Sequence, residues 1–423
     1  MIRTVVVNFN SAEILTSLRA LLASDLDQPH DVVVVDNGST DGSPERIAAE
    51  LPQVRLVRSP RNLGYPGLNQ VLRDLSGVDA VAIVNPDAVV APDCLKRLFA
   101  ELEADPGLGA ACPLILLEGD YREARFSVDG TDRASVELVA IEGAGRWHLT
   151  GPRVRRRWDG GVAWTVGDGS VLRATGDHVR LTVRSAEPVS VTVGSGSPER
   201  IGRSPALIAV ALDGPALPVI QNAGSIIGRH GLGENRGYHQ PLSERWTAAI
   251  EVPAWCGAAV LLRADYLRDV GLLDERWFLY YEDTDLAWRG LLKGWRYRVV
   301  PAARVRHAHS TTIGHGSALY EVQHERNRLL TVTKNAPLRE VVAAWADALR
   351  LMARQLRADF LARVRDRRRP ELVPTARRLK ALWGAARLTP AVVRDRRVVR
   401  GAATVQDIDL PVLGRWHEPT GTE

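Results

Sequence analysis

The chain has 423 residues, of which 45% are hydrophobic and 25% charged. These are values for a globular protein of two or three units, at roughly 150 residues per unit. Its three cysteines, Cys94, Cys112 and Cys256, are spaced neither as metal ligands nor as a disulfide framework, which points to a reducing compartment. No apolar run approaches the ~20 residues needed to cross a bilayer. The net charge of +5 is uneven. Residues Arg339–Arg400 hold 17 Arg or Lys against 6 Asp or Glu, a balance of +11, which leaves −6 for the remainder.

Met1-Ile2-Arg3 runs straight into a strand-like Thr4–Val7 that ends in Asn8-Phe9-Asn10, with no secretion signal. The expected location is the cytoplasm. Ala12–Leu22 has helical spacing, with Leu15, Leu18, Leu21 and Leu22 on one face. Val32–Val35 reads as a buried parallel strand. It ends in a polar turn, Asp36 to Ser43, and a helix begins near Pro44. Val54–Val57 and Ala80–Val84 are two further strands. Polar clusters sit at the carboxyl ends of these strands, the edge where open α/β sheets bind ligands.

From about Phe126 to Pro218 the helical period vanishes. Ser135–Ile141, Gly161–Val166, Val179–Val183, Val189–Val193 and Ala206–Leu212 read as short strands, which predicts a small all-β unit. Strand Ala258–Leu262, helix Ala264–Val270 and strand Tyr297–Val300 then restore the α/β alternation. The expected fold class is one α/β domain interrupted by an all-β insert, followed by a helical, basic C-terminal extension. The expected boundaries are 1–120, 121–218, 219–337 and 338–423.

The chemistry concentrates in Phe278–His307. The aromatic run Phe278-Leu279-Tyr280-Tyr281 leads into Glu282, Asp283 and Asp285. Acids packed this closely repel one another unless a cation, a substrate or a proton-transfer task holds them. Asp285 and Arg289 are spaced i,i+4 and pair structurally. A helix dipole alone accounts for acids at a helix start and lowers their pKa, which makes Asp283 a weak base. It does not account for the aromatic lead-in. Asp87, after the Asn85-Pro86 turn, is a hard carboxylate at a strand exit that suits Mg²⁺ or Mn²⁺. His307 is the matching imidazole, with His309 as its competitor. Asp36 serves either a nucleoside or its own turn, together with Asp41 and Ser43. The loop Arg61–Asn69 carries glycines that permit close approach of a ligand. Neither G-x-G-x-x-G nor a P-loop is present.

In order, Val5–Asn10, Val35–Asp41, Arg61–Gly64, Asn85–Asp87, Gly257–Arg263, Val270–Glu275, Tyr281–Arg289 and Arg306-His307 resemble the family 2 inverting glycosyltransferases of the GT-A (nucleotide-diphospho-sugar transferase, Rossmann-like) fold, in particular the bacterial rhamnosyltransferase-like group. The resemblance covers about half the chain. It implies donor contacts from Asn8, Asn10, Asp36, Asn62, Gly64, Asn69 and Asp87. It also implies a divalent metal (Mg²⁺ or Mn²⁺) on Asp87 and His307, with Asn85 at the first position of the family's D-x-D motif. Asp283 becomes the catalytic base. Gly257, Ala258 and Glu282 line the acceptor or sugar pocket, with Trp255 as a stacking wall.

The implied partners are a dTDP- or UDP-linked nucleotide-diphospho-sugar and a glycan or lipid-linked acceptor in cell-envelope or polysaccharide biosynthesis. The basic extension implies peripheral association with an anionic membrane at its inner face. No nucleic-acid module is present. A catalytically inactive nucleotide-sugar or glycan-binding protein of the same fold is the alternative. A nucleotidyltransferase would show a Gly-rich, Lys- or Arg-containing phosphate loop near the first strand, and Asn8–Ser11 is not one.

Overall fold

The computed structural model describes residues 1–129, 136–151, 154–157, 163–308, 317–365 and 372–416. The chain forms two compact units. The first comprises Met1–Leu116, Gln221–Tyr238 and Glu244–Glu423, and the second Leu117–Ile220 and His239–Ser243.

In the first unit, strands β1 (Ile2–Asn8), β2 (His30–Asp36), β3 (Arg55–Arg58) and β4 (Ala80–Val84) pair in parallel, with β1 lying between β2 and β4. They are followed by β5 (Ala88–Val90) and β6 (Leu108–Leu117). Beyond the second unit come β7 (Ala259–Arg263) and β8 (Arg296–His307). The strand order is β8-β6-β7-β4-β1-β2-β3, with β7 antiparallel to both neighbours. The valines of β2 show why the sheet is covered on both faces. Val33 and Val35 enter one core, and Val32 and Val34 enter the other. A strand buried on both faces reads as a continuous apolar run.

The helices longer than one turn are α1 (Ile14–Leu22), α2 (Ser43–Glu50), α3 (Cys94–Ala104), α4 (Ala264–Val270), α5 (Glu282–Leu292), α6 (Ala318–Asn335), α7 (Leu338–Arg365) and α8 (Leu372–Gly401). This mixed α/β architecture with a helical C-terminal region agrees with the GT-A expectation. β6 was not legible as a strand: Gly109, Ala110, Ala111 and Pro113 give it no alternation, yet all ten residues are buried.

Part of the basic charge near the C-terminus serves α6. Arg396 donates to the carbonyls of Thr333 and Ala336, and Arg400 to that of Asn335 (2.9, 2.5 and 3.1 Å). These are carbonyls that a helix end leaves without intrahelical partners. Asp285, with no exposed surface, binds Arg289 Nε (3.0 Å), Lys334 Nζ (2.9 Å) and Asn335 Nδ2 (2.9 Å). The third acid of the cassette therefore joins α5 to α6, and its pairing with Arg289 is the expected one.

The second unit contains two five-stranded sheets. One orders Arg155–Arg157, Ala163–Val166, Val136–Glu142, His178–Arg184 and Ala206–Ala211. The other orders Glu199–Ile201, Val189–Val193, Arg122–Asp129, Val171–Ala174 and Trp147–Thr150. Phe126, Leu172 and Val191 from the second sheet share one core with Leu138, Leu181 and Val210 from the first. This is a β-sandwich.

Candidate active site

Asn8 and Asp36 end paired parallel strands in register. Asn8 Nδ2 donates to Asp36 Oδ1 (2.9 Å) and to Ser43 Oγ (2.8 Å). The amides of Gly38 and Ser39 both donate to Asp36 Oδ2 (3.2 Å each). Asp41 accepts from the Ser43 amide and hydroxyl (3.0 and 2.6 Å). Asn10, at φ +52°, accepts from the Thr40 amide (2.8 Å). This network fixes the turn at the carboxyl edge of the sheet and accounts for much of the polarity of both segments.

The loop after β3 is spent on the protein itself. Asn62 Oδ1 accepts from the Gly64 amide (2.8 Å), and Asn37 Nδ2 donates to the Gly64 carbonyl (2.7 Å). Asn69 is buried and uses both ends of its amide on the Leu273 backbone (2.8 and 3.2 Å). The close approach that Gly64 permits is to Phe278. With φ +69°, a Cβ on Gly64 would lie 2.0 Å from the Phe278 carbonyl oxygen. Gly64→Ala is therefore expected to lose about 2–4 kcal/mol of stability, combining left-handed strain with a backbone clash. Thermal or denaturant unfolding measures it.

The contact with Phe278 matters because Phe278–Tyr281 is strained. Phe278, Tyr280 and Tyr281 all have left-handed backbones (φ +60°, +69° and +71°). Non-glycine residues hold such conformations only where their surroundings impose them. Here Asn327 of α6 donates to the carbonyls of Trp277, Leu279 and Tyr280 (2.8, 2.9 and 2.7 Å). The Tyr65 amide donates to that of Phe278 (2.8 Å), and the Tyr281 hydroxyl to that of Gly231 (3.1 Å). The strained turn delivers Glu282 and Asp283 to the first turn of α5. Asn327 carries no motif signal and is visible only in three dimensions.

Asp283 Oδ2 accepts from the Gly257 amide (3.0 Å). Its Oδ1 accepts from the amide and hydroxyl of Thr284 (2.6 and 3.1 Å). Burial nonetheless raises its carboxyl above the ordinary range, with these hydrogen bonds acting in the opposite direction. This corrects the expectation of a low pKa: loss of water outweighs the helix terminus, and the carboxylate is a better base than a solvated one. Glu282 is 5% exposed, its Oε2 has no hydrogen-bond partner among the described residues, and burial, then the charge of Asp283, pushes its carboxyl well above the usual range.

Trp255 is 0% exposed and packs in the core, so it offers no face for stacking, contrary to expectation. Burial, then Asp283, pushes the Cys256 thiol up to about 12, which disfavours its thiolate.

Gly257 and Ala258 connect the acids to the β4 exit. Gly257 binds Asp283 and accepts from the Tyr65 hydroxyl, while the Ala258 carbonyl accepts from the Asn85 amide (2.9 Å). At that exit, Asp87 Oδ1 lies 2.9 Å from His307 Nε2. The register pairs His307 with Ala88. His307 Nδ1 lies 2.6 Å from Gln221 Oε1. An amide oxygen only accepts, so Nδ1 donates to Gln221, and Nε2 faces the carboxylate either as the lone pair of the neutral ring or as the donor of the imidazolium. Two acceptors at this distance call for a proton or a cation between them. A separation of 2.9 Å is also close to the cis edge, about 3.0 Å, of an octahedral site with ligands at ~2.1 Å. The donor set thus fits a hard divalent cation whose other ligands come from substrate and solvent. Among the described residues no group of three His, Cys, Asp or Glu is arranged to hold a metal. His309 lies outside the described residues. Gln221 was not found by sequence reading, because it stands alone where the chain leaves the β-sandwich.

Residues 4–155 match the family model described as glycosyl transferase family 2. The match marks residues 4–155 as a family 2 glycosyltransferase domain. The chain is 24% identical over 334 residues to the N-acetylglucosaminyl-diphospho-decaprenol L-rhamnosyltransferase of Mycobacterium tuberculosis, covering 76% of the chain and 81% of that protein. It is 33% identical over 124 residues to the succinoglycan biosynthesis protein ExoO of Rhizobium meliloti, covering 29% of the chain and 35% of that protein. Among solved structures, GalNAc-T7 with UDP, GalNAc and Mn²⁺ aligns over 79% of the chain and 48% of its own chain, at 12% identity and a TM-score of 0.46.

Proposed function

We propose that the protein transfers rhamnose, with inversion, from a dTDP- or UDP-linked donor to a hydroxyl of a lipid-linked or glycan acceptor. The single observation that carries this reading is the connection of Asp283 to the Asp87–His307 pair through two consecutive residues, Gly257 and Ala258, at the carboxyl edge of the parallel strands. The mycobacterial relative, by its name, places L-rhamnose on N-acetylglucosaminyl-diphospho-decaprenol, which supports both the sugar and a lipid-linked acceptor.

In this reading the donor lies along the edge formed by Asn8, Asp36 and Asp87. Asp283 accepts the proton of the acceptor hydroxyl as that oxygen attacks the anomeric carbon from the face opposite the diphosphate. The Gly257 amide holds one carboxylate oxygen and Thr284 the other, so the base is oriented before the acceptor arrives. Glu282, buried and without a partner for Oε2, supplies a hydrogen bond to an acceptor hydroxyl. A divalent cation held by Asp87 and His307 would neutralise charge on the leaving diphosphate. Gln221 orients His307 for that task.

Gln221→Leu removes the acceptor for His307 Nδ1 and is expected to weaken metal affinity about 10–100-fold. A titration of Mn²⁺ against donor hydrolysis reads it, with Gln221→Glu restoring the affinity. The reading as a whole is tested by a donor panel scored for thermal stabilisation and for metal-stimulated hydrolysis. dTDP-rhamnose is expected to lead both scores. Stabilisation by a nucleotide-sugar without turnover of any donor or acceptor would favour a binding protein of the same fold.

A further inference from the structure

Helix α7 keeps an apolar stripe in the open. Leu338, Val342, Leu349, Leu356 and Phe360 are 69%, 62%, 57%, 49% and 65% exposed. At about 100° per residue these five fall within about 40° of arc, so they form one line along the helix rather than a scatter. The neighbouring face, with Ala344, Ala348 and Met352, is the one buried in the core. The helix has therefore met its packing requirement without these side chains. A continuous exposed line of large apolar groups is uncommon on a monomer and marks a surface with a partner.

The charges beside the line identify that partner. Arg350, Arg354 and Arg357 lie on the flank away from the core, and none of the three has an ion-pair partner among the described residues. The acids Glu340 and Asp347 lie beyond these arginines, about 160–180° from the apolar line, so the arginines stand between the acids and the line. Arg396 and Arg400, by contrast, are occupied with α6 and contribute nothing here. No helix among the described residues is long and apolar enough to cross a membrane. The following helix, α8, adds Leu379 and Trp383, one turn apart and 59% and 71% exposed. A second copy meeting the same face antiparallel would bring each arginine row toward its own counterpart, whereas an anionic surface complements the row along its whole length.

We propose that α7 lies on the surface of an anionic lipid bilayer, with Leu349, Leu356 and Phe360 among the acyl chains and Arg350, Arg354 and Arg357 at the headgroups. An in-plane helix with an apolar line and cationic flanks binds in this way, and guanidinium groups reach the headgroup level while their stems stay apolar. This surface stands apart from the transfer chemistry and does not depend on the identity of the donor.

The test is co-sedimentation of the full chain with vesicles of phosphatidylcholine alone and of phosphatidylcholine mixed equally with phosphatidylglycerol. Binding to the anionic vesicles is expected, weakening as salt rises. The triple variant Leu349→Glu, Leu356→Glu, Phe360→Glu is expected to lose at least about tenfold in partition, since three charged groups replace three inserted apolar ones. Arg350→Glu, Arg354→Glu, Arg357→Glu is expected to abolish the preference for the anionic vesicles. Donor hydrolysis in solution, unchanged in both variants, shows that they are folded. Wild-type protein left in the supernatant with both vesicle types would overturn the proposal, as would an apolar variant that sediments as well as the wild type. Conversion of a wild-type dimer to a monomer by the apolar variant, with vesicle binding intact, would overturn it in favour of a second copy.

Discussion

Replacing Asp283 by asparagine lowers sugar transfer about 10²–10⁴-fold and leaves donor affinity close to that of the wild type. The magnitude is that of a positioned general base, about 3–5 kcal/mol of barrier. The geometry explains why the loss falls on turnover. Asp283 lies at the start of α5, outside the hydrogen-bond network of Asn8 and Asp36 that is proposed to hold the donor. Asparagine keeps the size of the side chain and one acceptor for the Gly257 amide, giving up the acceptor for the Thr284 amide, a cost that falls on the α5 start and not on the donor side. What disappears is the proton acceptor. Isothermal titration with donor, beside steady-state transfer rates, separates the two effects. An asparagine variant with near-normal turnover would remove Asp283 from the role of base.

The same residue sets a pH dependence. Burial raises the Asp283 carboxyl, and only its ionised form can accept the proton. Transfer should therefore fall as pH is lowered through the raised pKa, on an acid limb above that of a solvated aspartate. The asparagine variant should lose this limb from its residual rate.

Removing the carboxylate of Asp87 is the second large effect. Asp87→Ala is expected to cost about 10²–10³-fold in turnover and to abolish the stimulation of donor hydrolysis by Mg²⁺ or Mn²⁺. The pair tolerates little relaxation: the side chains of Asp87 and His307 are 9% and 4% exposed and face each other at 2.9 Å. With the carboxylate gone, His307 alone provides one neutral ligand, too few to hold a hard cation beside a diphosphate. His307→Ala is expected to show the same loss of metal stimulation. Chelation of the wild-type enzyme should reproduce the Asp87→Ala rate. An Asp87→Ala enzyme still stimulated by metal would place the cation elsewhere.

Much of the frame was legible because local and tertiary demands coincide. The valines of β2 are buried on both faces and read as such. Ala80–Val84 and the helix Ala264–Val270 have the bounds the periodicity gave. Asp285 pairs with Arg289 as i,i+4 spacing requires. β6 stayed hidden because its glycine, alanines and proline carry no strand alternation, and tertiary burial alone makes it a strand.

At the site, the residue types were legible but their environments were not. Asp283 was expected to be a weak base because sequence reveals the helix start and not the burial that outweighs it. The family resemblance made Trp255 a stacking wall, yet it lies in the core. Gly64 signals close approach, but the approaching group is the strained Phe278 turn of the protein itself. Gln221 acts through one contact across 86 residues of sequence and Asn327 through three across 47 to 50, separations that no local pattern encodes.

The central claim is a single displacement in which Asp283 activates the acceptor, and the anomeric configuration of the product tests it most directly. The glycoside formed from a donor of known configuration is examined by NMR, reading the one-bond carbon–hydrogen coupling at the anomeric centre. A product with the configuration opposite to that of the donor is the expected result. A product that retains the donor configuration would contradict the account.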